Sequence, residues 1–255
     1  MGENYIKKDK LSVRKYENRK LMGQAAAEAV SETIQKLLLT QKFVNIIFAA
    51  APSQNEFLEA LVLKDLEWNR INAFHMDEYC GLQPDAPQTF QSFLKERIFN
   101  KRNFLAVHYL EGSSPDAATE CKRYSALLEN YPADIVCMGI GENGHIAFND
   151  PHLADFEDKI LVKVVDLDPV SRQQQVNDGC FPDISKVPVH ALTLTIPAMM
   201  KATYIFCMVP GPKKATAVFN TLHQDIHPDF PSTVLRRHNH SILFLDEDSA
   251  KQLSA

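Results

Sequence analysis

Two adjacent carboxylates follow an apolar segment of the chain. Asp77 and Glu78 come directly after residues 71–76, whose composition is typical of a buried strand. A carboxylate at the mouth of a sheet can act as a general base, because partial burial raises its pKa toward neutrality. A carboxylate that caps a helix or lies in a loop is the alternative interpretation, and this segment alone favours it.

A glycine-rich segment follows a second apolar strand. Residues 139–151 read GIGENGHIAFNDP and contain the spacing G-x-G-x-x-G. In a dinucleotide-binding fold this spacing opens a helix at the first strand-to-helix turn. Here it lies in the middle of the chain and reaches Pro151 too soon for a helix. The glycines instead indicate backbone amides close to a ligand, with His145 held beside the carboxylate of Asp150.

Lysines at the start of a helix form the third feature. Residues 210–215 read PGPKKA, which puts Lys213 and Lys214 in the first turn of a predicted helix. Cations there oppose the helix dipole by about 0.3–1 kcal/mol each, and an anion bound at the same end would offset this. A phosphate group is the obvious anion, and two solvated lysines are the equally weighted alternative.

The elements that must position these groups alternate along the chain. Apolar runs predict strands over residues 11–16, 44–51, 71–76, 105–110, 134–139, 160–165, 191–196, 203–209 and 241–246. Helices are predicted over residues 18–39, 53–61, 89–99, 115–130 and 212–222, with Ser53 and Glu56 forming a capping box at the second. This rhythm predicts a doubly wound α/β fold, a mainly parallel sheet flanked by helices in a Rossmann-like three-layer sandwich. Such sheets bind ligands beyond the carboxyl ends of their strands.

The composition is that of an ordinary globular protein. The chain has 255 residues, 45% of them hydrophobic and 23% charged, and no repeat or linker divides it. We therefore expect a single domain over residues 1–255, with the polar residues 1–10 flexible. The net charge of -5 and the lack of about eighteen consecutive apolar residues argue against nucleic-acid and membrane partners and favour a cytoplasmic location. Five widely spaced cysteines without a C-x-x-C pair are interpreted as reduced thiols.

Two motifs taken together are specific. Residues 76–82 (MDEYCGL) and residues 139–151 resemble the two signature motifs of the glucosamine-6-phosphate deaminase (isomerase) family. The resemblance extends from about Leu11 to the C-terminus and implies an α/β enzyme, with no cofactor or metal, that converts an amino-sugar phosphate into fructose 6-phosphate and ammonia. The related 6-phosphogluconolactonases typically read Asp-Glu-Arg and Gly-His-Thr-Ala-Ser at these motifs, so Tyr79 and residues 146–151 favour the deaminase branch.

The resemblance implies roles for four residues. Asp77 matches the base that moves a proton between C2 and C1, and His145 matches the histidine that opens the pyranose ring. Asp150 stands where most relatives carry a glutamate that positions this histidine. Asn143 occupies a position that is aspartate in some relatives and asparagine in others, and it can hydrogen-bond but cannot act as a base.

The resemblance also indicates how phosphate is bound. Lys214 matches the phosphate-binding lysine, whereas residues 49–54 read AAAPSQ where relatives carry a Thr-Gly-Gly/Ser-Thr-Pro loop. Fewer amides are therefore available, and the helix start at Ser53 is expected to help. The arginine that relatives place near Gly179 is missing, and Arg172 is a candidate substitute, although its run could equally form a solvated helix face. The expected substrate- and phosphate-binding residues are Ala51, Pro52, Ser53, Gln54, Gly144, Arg172 and Lys214.

Three hypotheses about function are compatible with these residues. The leading one is isomerisation and deamination of a hexosamine 6-phosphate. The second is another sugar-phosphate enzyme of the same fold, such as a galactosamine-6-phosphate isomerase or a 6-phosphogluconolactonase. The third is a sugar-phosphate-binding regulator without turnover, which loss of Asp77 or His145 would favour, and neither is lost. In each case the partner is a small-molecule sugar phosphate, and self-association into a homo-oligomer is compatible with the sequence.

Overall fold

Strands and helices alternate along the part of the chain that the structure, a computed structural model, describes, namely residues 4–177 and 179–253. The strands are β1 (Asn4–Lys8), β2 (Leu11–Tyr16), β3 (Val44–Phe48), β4 (Ile71–His75), β5 (Asp77–Tyr79), β6 (Ala106–His108), β7 (Ile135–Met138), β8 (Val162–Asp166), β9 (His190–Leu194), β10 (Tyr204–Val209) and β11 (Ser241–Asp246). The α-helices are α1 (Arg19–Leu38), α2 (Asn55–Val62), α3 (Phe90–Leu94), α4 (Ala117–Asn130), α5 (Pro169–Asn177), α6 (Ile196–Met200) and α7 (Ala215–His223). No helix within these residues is both long enough and apolar enough to cross a membrane.

Eight strands form the main sheet, in the order β1-β2-β11-β10-β7-β3-β4-β6. All neighbours pair in parallel except β1 and β2, which form an antiparallel hairpin at one edge. The central strands β3, β4 and β7 are buried along their whole length, as their largely apolar sequences predict for a parallel sheet covered on both faces. The predicted doubly wound α/β fold is confirmed.

Helices cover both faces of the main sheet. Ile46 and Phe48 of β3 pack in one apolar cluster with α1 and α2, whereas Ile47 packs in a second cluster with α4 and α7. The two helices on the first face approach each other closely, because a Cβ atom on Gly23 of α1 would lie 2.7 Å from the backbone of Glu56 in α2. Only glycine permits this contact, which fixes the start of α1 against the start of α2.

A smaller second sheet corrects the predicted topology. Strand β9 pairs antiparallel with both β5 and β8, whereas the rhythm of the sequence predicts residues 160–165 and 191–196 in the main sheet. At the end of β4, the hydroxyl of Tyr124 in α4 accepts the amide proton of His75 at 3.0 Å and donates to its carbonyl at 2.9 Å. Strand β5 follows directly and pairs with β9 instead of joining the main sheet.

The N-terminal segment is a second correction. Residues 4–8 are not a flexible tail, because β1 pairs with β2 from Asn4 opposite Lys15 to Lys8 opposite Leu11. An ion pair of 2.6 Å between Asp9 and Arg236 anchors the hairpin turn to the body of the protein. A polar sequence suits this position, since an edge strand exposes one side to solvent. Residues 1–3 of the segment expected to be flexible lie outside the described residues.

Candidate active site

A pocket of about 320 Å³ opens at the carboxyl ends of the strands in the middle of the main sheet. It lies where the strand order reverses, since β4 and β6 extend to one side of β3 while β7 and β10 extend to the other. This is the position at which a doubly wound fold binds its ligand. The lining comes from residues 49–53 after β3, residues 76–77 after β4, residues 139–142 after β7 and residues 210–214 after β10.

Asp77 lies in the wall of this pocket, with 8% of its surface exposed. Burial raises its pKa well above the usual range of an aspartate, and the charge of the neighbouring Glu78 raises it further. An ionised carboxylate with a raised pKa is a stronger base than an exposed one. Asp77 is therefore suited to accepting a proton from a carbon atom and returning it.

His75 holds the backbone of Asp77 in place. This buried ring places Nδ1 at 2.9 Å from the carbonyl oxygen of Asp77 and Nε2 at 2.9 Å from the amide nitrogen of Leu110. Because the amide is a donor, Nε2 accepts and Nδ1 carries the proton. Burial lowers the pKa of His75 to about 4, so the ring stays neutral near pH 7 and locks the turn that leads to Asp77.

The second carboxyl group of the motif, Glu78, is fully buried and does not line the pocket. Its oxygens accept hydrogen bonds from the backbone amides of Tyr79, Phe90 and Gln91 at 2.9 to 3.0 Å. Burial raises the pKa of Glu78 to about 7, although these three amide bonds lower it in part. The two adjacent carboxyl groups therefore have different surroundings. Asp77 lines the pocket, whereas Glu78 accepts hydrogen bonds from the backbone at the start of α3.

His145 lines the same pocket from the loop after β7. Its Nδ1 lies 2.8 Å from Oδ1 of Asn143 and 3.1 Å from Oδ1 of Asp150, so Nδ1 carries a proton and Nε2 remains for a substrate. The ring packs directly over Gly141, where a Cβ atom would lie 2.2 Å from Cε1 of the ring. This contact accounts for the glycine at that position of the motif.

Asp150 lies behind His145 and is fully buried. It accepts hydrogen bonds from Nδ2 of Asn143 at 2.9 Å and from Oγ of Ser171 at 2.5 Å. Burial by itself raises the pKa of Asp150, but the hydrogen bond and charge of His145, with the bonds from Asn143 and Ser171, outweigh it and lower the pKa to about 2. Asp150 is therefore ionised near neutral pH and stabilises positive charge on His145.

Ser171 belongs to this group, and the sequence analysis does not single it out. It is buried on α5, and its Oγ lies 3.1 Å from Nδ1 of His145 as well as against Asp150. The same helix contributes Gln174, whose Oε1 accepts the amide proton of Glu142 at 3.0 Å in the pocket wall. A serine in a polar helix carries no pattern that links it to a histidine 26 residues earlier, so only the fold could identify it.

The loop after β3 contains one residue that the resemblance misplaces. Ala51, Pro52 and Ser53 line the pocket as expected, but Gln54 does not. Its side chain is buried, and Nε2 contacts the carbonyl oxygens of Met138 at 3.4 Å and of a second methionine, at the end of β10, at 3.3 Å. Gln54 therefore connects the ends of β7 and β10 beneath the pocket instead of facing a substrate.

The predicted capping box at the start of α2 is also wrong. A 3-10 turn, Pro52–Gln54, precedes the helix, and Ser53 lies inside that turn without capping it. Glu56 turns instead toward α1 and pairs with Arg19 at 2.6 Å. The proline at the start of the turn explains the difference, since its fixed φ favours a tight first turn.

Gly144 lies outside the pocket lining. Its φ of +88° is a left-handed conformation that favours glycine, and its carbonyl accepts the amide proton of Ser232 at 3.0 Å. Gly144 thus shapes the turn that carries His145 and faces the 3-10 segment Pro231–Arg237. Gly144 is therefore placed to support His145 from outside the lining, and its expected contact with substrate stays a prediction.

The two lysines that precede α7 do line the pocket. Lys213 and Lys214 follow Gly211, which has a φ of +93° and whose amide donates to both carboxyl oxygens of Asp246 at 3.0 Å. Asp246 ends β11, so the neighbouring strand holds the turn in place. Both lysines therefore line the same pocket as residues 49–53.

Arg172 is not part of the pocket, which corrects the prediction that it replaces the missing arginine. Its Nη2 donates to the carbonyl oxygens of Ile184 at 2.7 Å and Val187 at 2.9 Å, so its guanidinium fastens α5 to the segment that follows. The arginine that lines the pocket is Arg19, the first residue of α1. The local sequence predicts only a helix over residues 18–39, and nothing in it marks Arg19.

The chain is similar to known proteins along most of its length. A family model described as glucosamine-6-phosphate isomerases/6-phosphogluconolactonase matches residues 17–244. A glucosamine-6-phosphate deaminase of Streptococcus sanguinis is 30% identical over 243 residues, which are 95% of this chain and 99% of that protein. A glucosamine-6-phosphate deaminase of Clostridium acetobutylicum is 33% identical over 237 residues, covering 91% of this chain and 95% of the relative.

Solved structures agree with this result. A monomeric glucosamine-6-phosphate deaminase superposes with a TM-score of 0.85 and 28% identity, over 94% of this chain and 98% of the other. A 6-phosphogluconolactonase of Thermotoga maritima superposes with a TM-score of 0.76 at 21% identity, over 93% and 100% of the two chains, and shares the fold. The resemblance inferred from the two motifs is confirmed, and the match over residues 17–244 shows that the chain belongs to the glucosamine-6-phosphate isomerase/6-phosphogluconolactonase family.

Proposed function

We propose that the protein is a glucosamine-6-phosphate deaminase, which converts glucosamine 6-phosphate into fructose 6-phosphate and ammonia. The observation that carries the proposal is the presence in one pocket of a desolvated carboxyl group, Asp77, and a histidine, His145, backed by the buried Asp150. Relatives of that name, 30% and 33% identical over more than nine tenths of the chain, support it.

His145 is assigned to opening of the sugar ring. Ring opening requires a proton at the ring oxygen and the removal of a proton from the hydroxyl on C1. His145 can transfer both protons through Nε2, because Nδ1 is engaged by Asn143 and Asp150. The ionised Asp150 stabilises the protonated ring during this transfer.

Asp77 is assigned to the isomerisation. It removes the proton from C2 of the open-chain sugar while the aldehyde oxygen on C1 takes a proton from the ammonium group, which leaves an enolamine. It then returns its proton to C1 to give the protonated 2-imine, which water hydrolyses to the ketose and ammonium. The protonated amine of the incoming substrate places a positive charge close to Asp77, and an opposite charge favours the ionised form of a carboxyl group whose pKa is raised. A lactone carries no such charge, which favours an amino-sugar substrate.

A substrate panel tests this function. Ammonia release and ketose phosphate formation are measured with glucosamine 6-phosphate, galactosamine 6-phosphate and N-acetylglucosamine 6-phosphate, and hydrolysis is measured with 6-phosphogluconolactone. We expect the highest kcat/KM with glucosamine 6-phosphate. Preferred hydrolysis of the lactone, or the absence of turnover with every compound, would overturn the proposal.

The number of subunits is a separate proposal. Self-association into a homo-oligomer is the expectation from the sequence, whereas one structurally similar deaminase is described as monomeric. Light scattering on the purified protein decides between them. A mass near the chain's 28.8 kDa would contradict self-association.

A further inference from the structure

The phosphate end of the pocket lacks two of the groups that the family resemblance implies. Pro52 has no N–H to donate, the loop over residues 49–53 has no glycine, and Arg172 is engaged elsewhere. A phosphate group carries about -1.5 to -2 charges near neutral pH and is bound through several charge-assisted hydrogen bonds. Lys213 and Lys214 line this end, and one further cation lies beside them.

That cation is Arg19. Its Nε and Nη2 donate to the two carboxyl oxygens of Glu56 at 2.6 and 2.9 Å, and Nη2 also donates to the carbonyl oxygen of Pro52 at 3.1 Å. Nη1 has no hydrogen-bond partner among residues 4–177 and 179–253. Nε and Nη2 of the guanidinium are therefore engaged, and Nη1 is available at the rim of the pocket.

We propose that Arg19 binds the phosphate group of the substrate through Nη1 and takes the place of the arginine that relatives carry near Gly179. This inference rests on the proposed sugar-phosphate substrate. Arg19 reaches the site from the start of α1, and its contact with the carbonyl of Pro52 puts it directly against the loop that precedes α2.

Glu56 orients Arg19 by accepting hydrogen bonds from Nε and Nη2, and it leaves Nη1 unbonded. The close contact between Gly23 and the backbone of Glu56 fixes α1 against α2, so the bidentate pair holds the guanidinium at one angle. An arginine held in this way loses little conformational freedom when an anion binds. Glu56 and the nearby Asp246 offset part of the positive charge, so Arg19, Lys213 and Lys214 together leave a modest excess that suits a dianion.

The test separates direct binding from support of the loop. Affinity for inorganic phosphate is measured by calorimetry, and KM for glucosamine 6-phosphate by ammonia release, in Arg19→Met, Glu56→Gln and Lys20→Met. Lys20→Met is the matched control, because it removes one positive charge from the adjacent exposed position outside the pocket lining. Thermal melting of each variant confirms that it is folded.

Arg19→Met is expected to weaken phosphate binding and to raise KM by about 10- to 100-fold, the loss that follows removal of a charge-assisted hydrogen bond. Its kcat should change less than threefold by the same reasoning, since the contact is equal in ground and transition states. Glu56→Gln keeps an oxygen for Arg19 and removes a negative charge, so phosphate should bind equally well or more tightly. Lys20→Met should match the unmodified protein.

Two outcomes overturn the inference. If Arg19→Met binds inorganic phosphate as well as Lys20→Met does, Arg19 is not a phosphate ligand. If Glu56→Gln weakens phosphate binding as much as Arg19→Met, Arg19 acts only by holding the loop. If glucosamine 6-phosphate is not turned over while Arg19→Met still weakens binding of inorganic phosphate, the proposed function fails and the assignment of Arg19 stands.

Discussion

The two ends of the pocket are built in opposite ways. At the proposed reaction end, Asp77, His145 and Asp150 are buried, and neighbouring side chains and backbone hold them in place. At the proposed phosphate end, Arg19 and Lys213 are exposed cations that reach the pocket from the starts of two separate helical segments. The first end depends on fixed geometry, and the second depends on charges gathered around a loop.

This difference predicts different kinetic effects at the two ends. A preorganised group that acts on the reacting atoms contributes mainly in the transition state, so its loss lowers kcat. A cation that binds a phosphate group far from the reacting carbons stabilises the ground state and the transition state equally, so its loss raises KM. Substitutions at the two ends therefore test the comparison directly.

The largest effect is expected for Asp77→Asn. The amide keeps the shape of the carboxylate but cannot accept the C2 proton, so kcat should fall by about 10²- to 10⁴-fold with little change in substrate affinity. Steady-state ammonia release gives kcat, and calorimetry with the inactive variant gives the dissociation constant. Asp85→Asn, at an exposed position, is the matched control. Activity near that of the control would remove Asp77 from the reaction and break the comparison.

Lys214→Ala is expected to have the next largest effect, at the opposite end. Loss of a charge-assisted contact to phosphate should raise KM by about 10- to 100-fold, with a smaller change in kcat. Lys213→Ala removes the same charge from the adjacent, more exposed residue and should raise KM less. Equal effects of the two substitutions would show that the turn contributes only its net charge, not a specific ligand.

The same contrast explains what the sequence could predict about the site. The reaction end comes mostly from two short segments, residues 75–79 and 139–150, in which strand ends and glycines place the important groups next to each other in the chain. Asn143, His145 and Asp150 could therefore be identified together. Ser171 could not, because it reaches Asp150 from a helix 21 residues later and only the tertiary fold brings them into contact.

At the proposed phosphate end, only the residues that belong to a local sequence pattern could be predicted. The turn at residues 210–214 has such a pattern, and Lys213 and Lys214 do line the pocket. Arg172, expected from its proximity in sequence to the missing position, donates instead to the carbonyl groups of Ile184 and Val187 outside the pocket lining. Arg19 pairs with a residue 37 positions away, a contact set by the packing of α1 on α2.

The main fold was predictable for a related reason. Strands buried on both faces, such as β3 and β7, have mostly apolar sequences that mark them without reference to the rest of the fold. The second sheet was not predictable, because it pairs β9 with β5 and β8, and β5 lies far from β9 in the sequence. Register partners such as Asp77 and Thr193 leave no periodic pattern that marks which sheet a strand joins.

A smaller effect is expected at the position that joins α5 to the reaction end. Ser171→Ala removes the donor to Asp150 but leaves the bond from Asn143, so kcat should fall by about tenfold with KM nearly unchanged. The acid limb of the pH profile should also move to higher pH, because the hydrogen bond from Ser171 is one of those that lower the pKa of Asp150. Ser171→Thr keeps the hydroxyl and should restore both. A lower melting temperature with unchanged kcat and pH profile would indicate a purely structural serine.

The smallest effect concerns Glu78, the carboxyl group of the motif that does not face the pocket. Burial raises its pKa in the folded protein to about 7, from an ordinary value of 4.5. Between these two pH values the folded protein keeps a proton that the unfolded chain has released. The stability contributed by Glu78 is therefore fully present below pH 4.5 and is lost as the pH rises through 7.

The expected size of this loss is on the order of 1 kcal/mol per pH unit, or about 2–4 °C in melting temperature for a chain of this length. The stability contributed by Asp77 changes with pH in the same direction. The stability contributed by His75, whose pKa is lowered, increases as the pH rises, so the melting temperature of the unmodified protein reports the sum of these contributions. Glu78→Gln isolates one contribution, because the amide does not titrate. This variant should melt at a lower temperature at every pH, since one amide donor to Glu78 loses its acceptor, but its melting temperature should fall less between pH 5 and pH 8. If the melting temperatures of the two proteins depend on pH in the same way, Glu78 is ionised over the whole range between pH 5 and pH 8. Glu78 would then differ from Asp77 in charge state as well as in position.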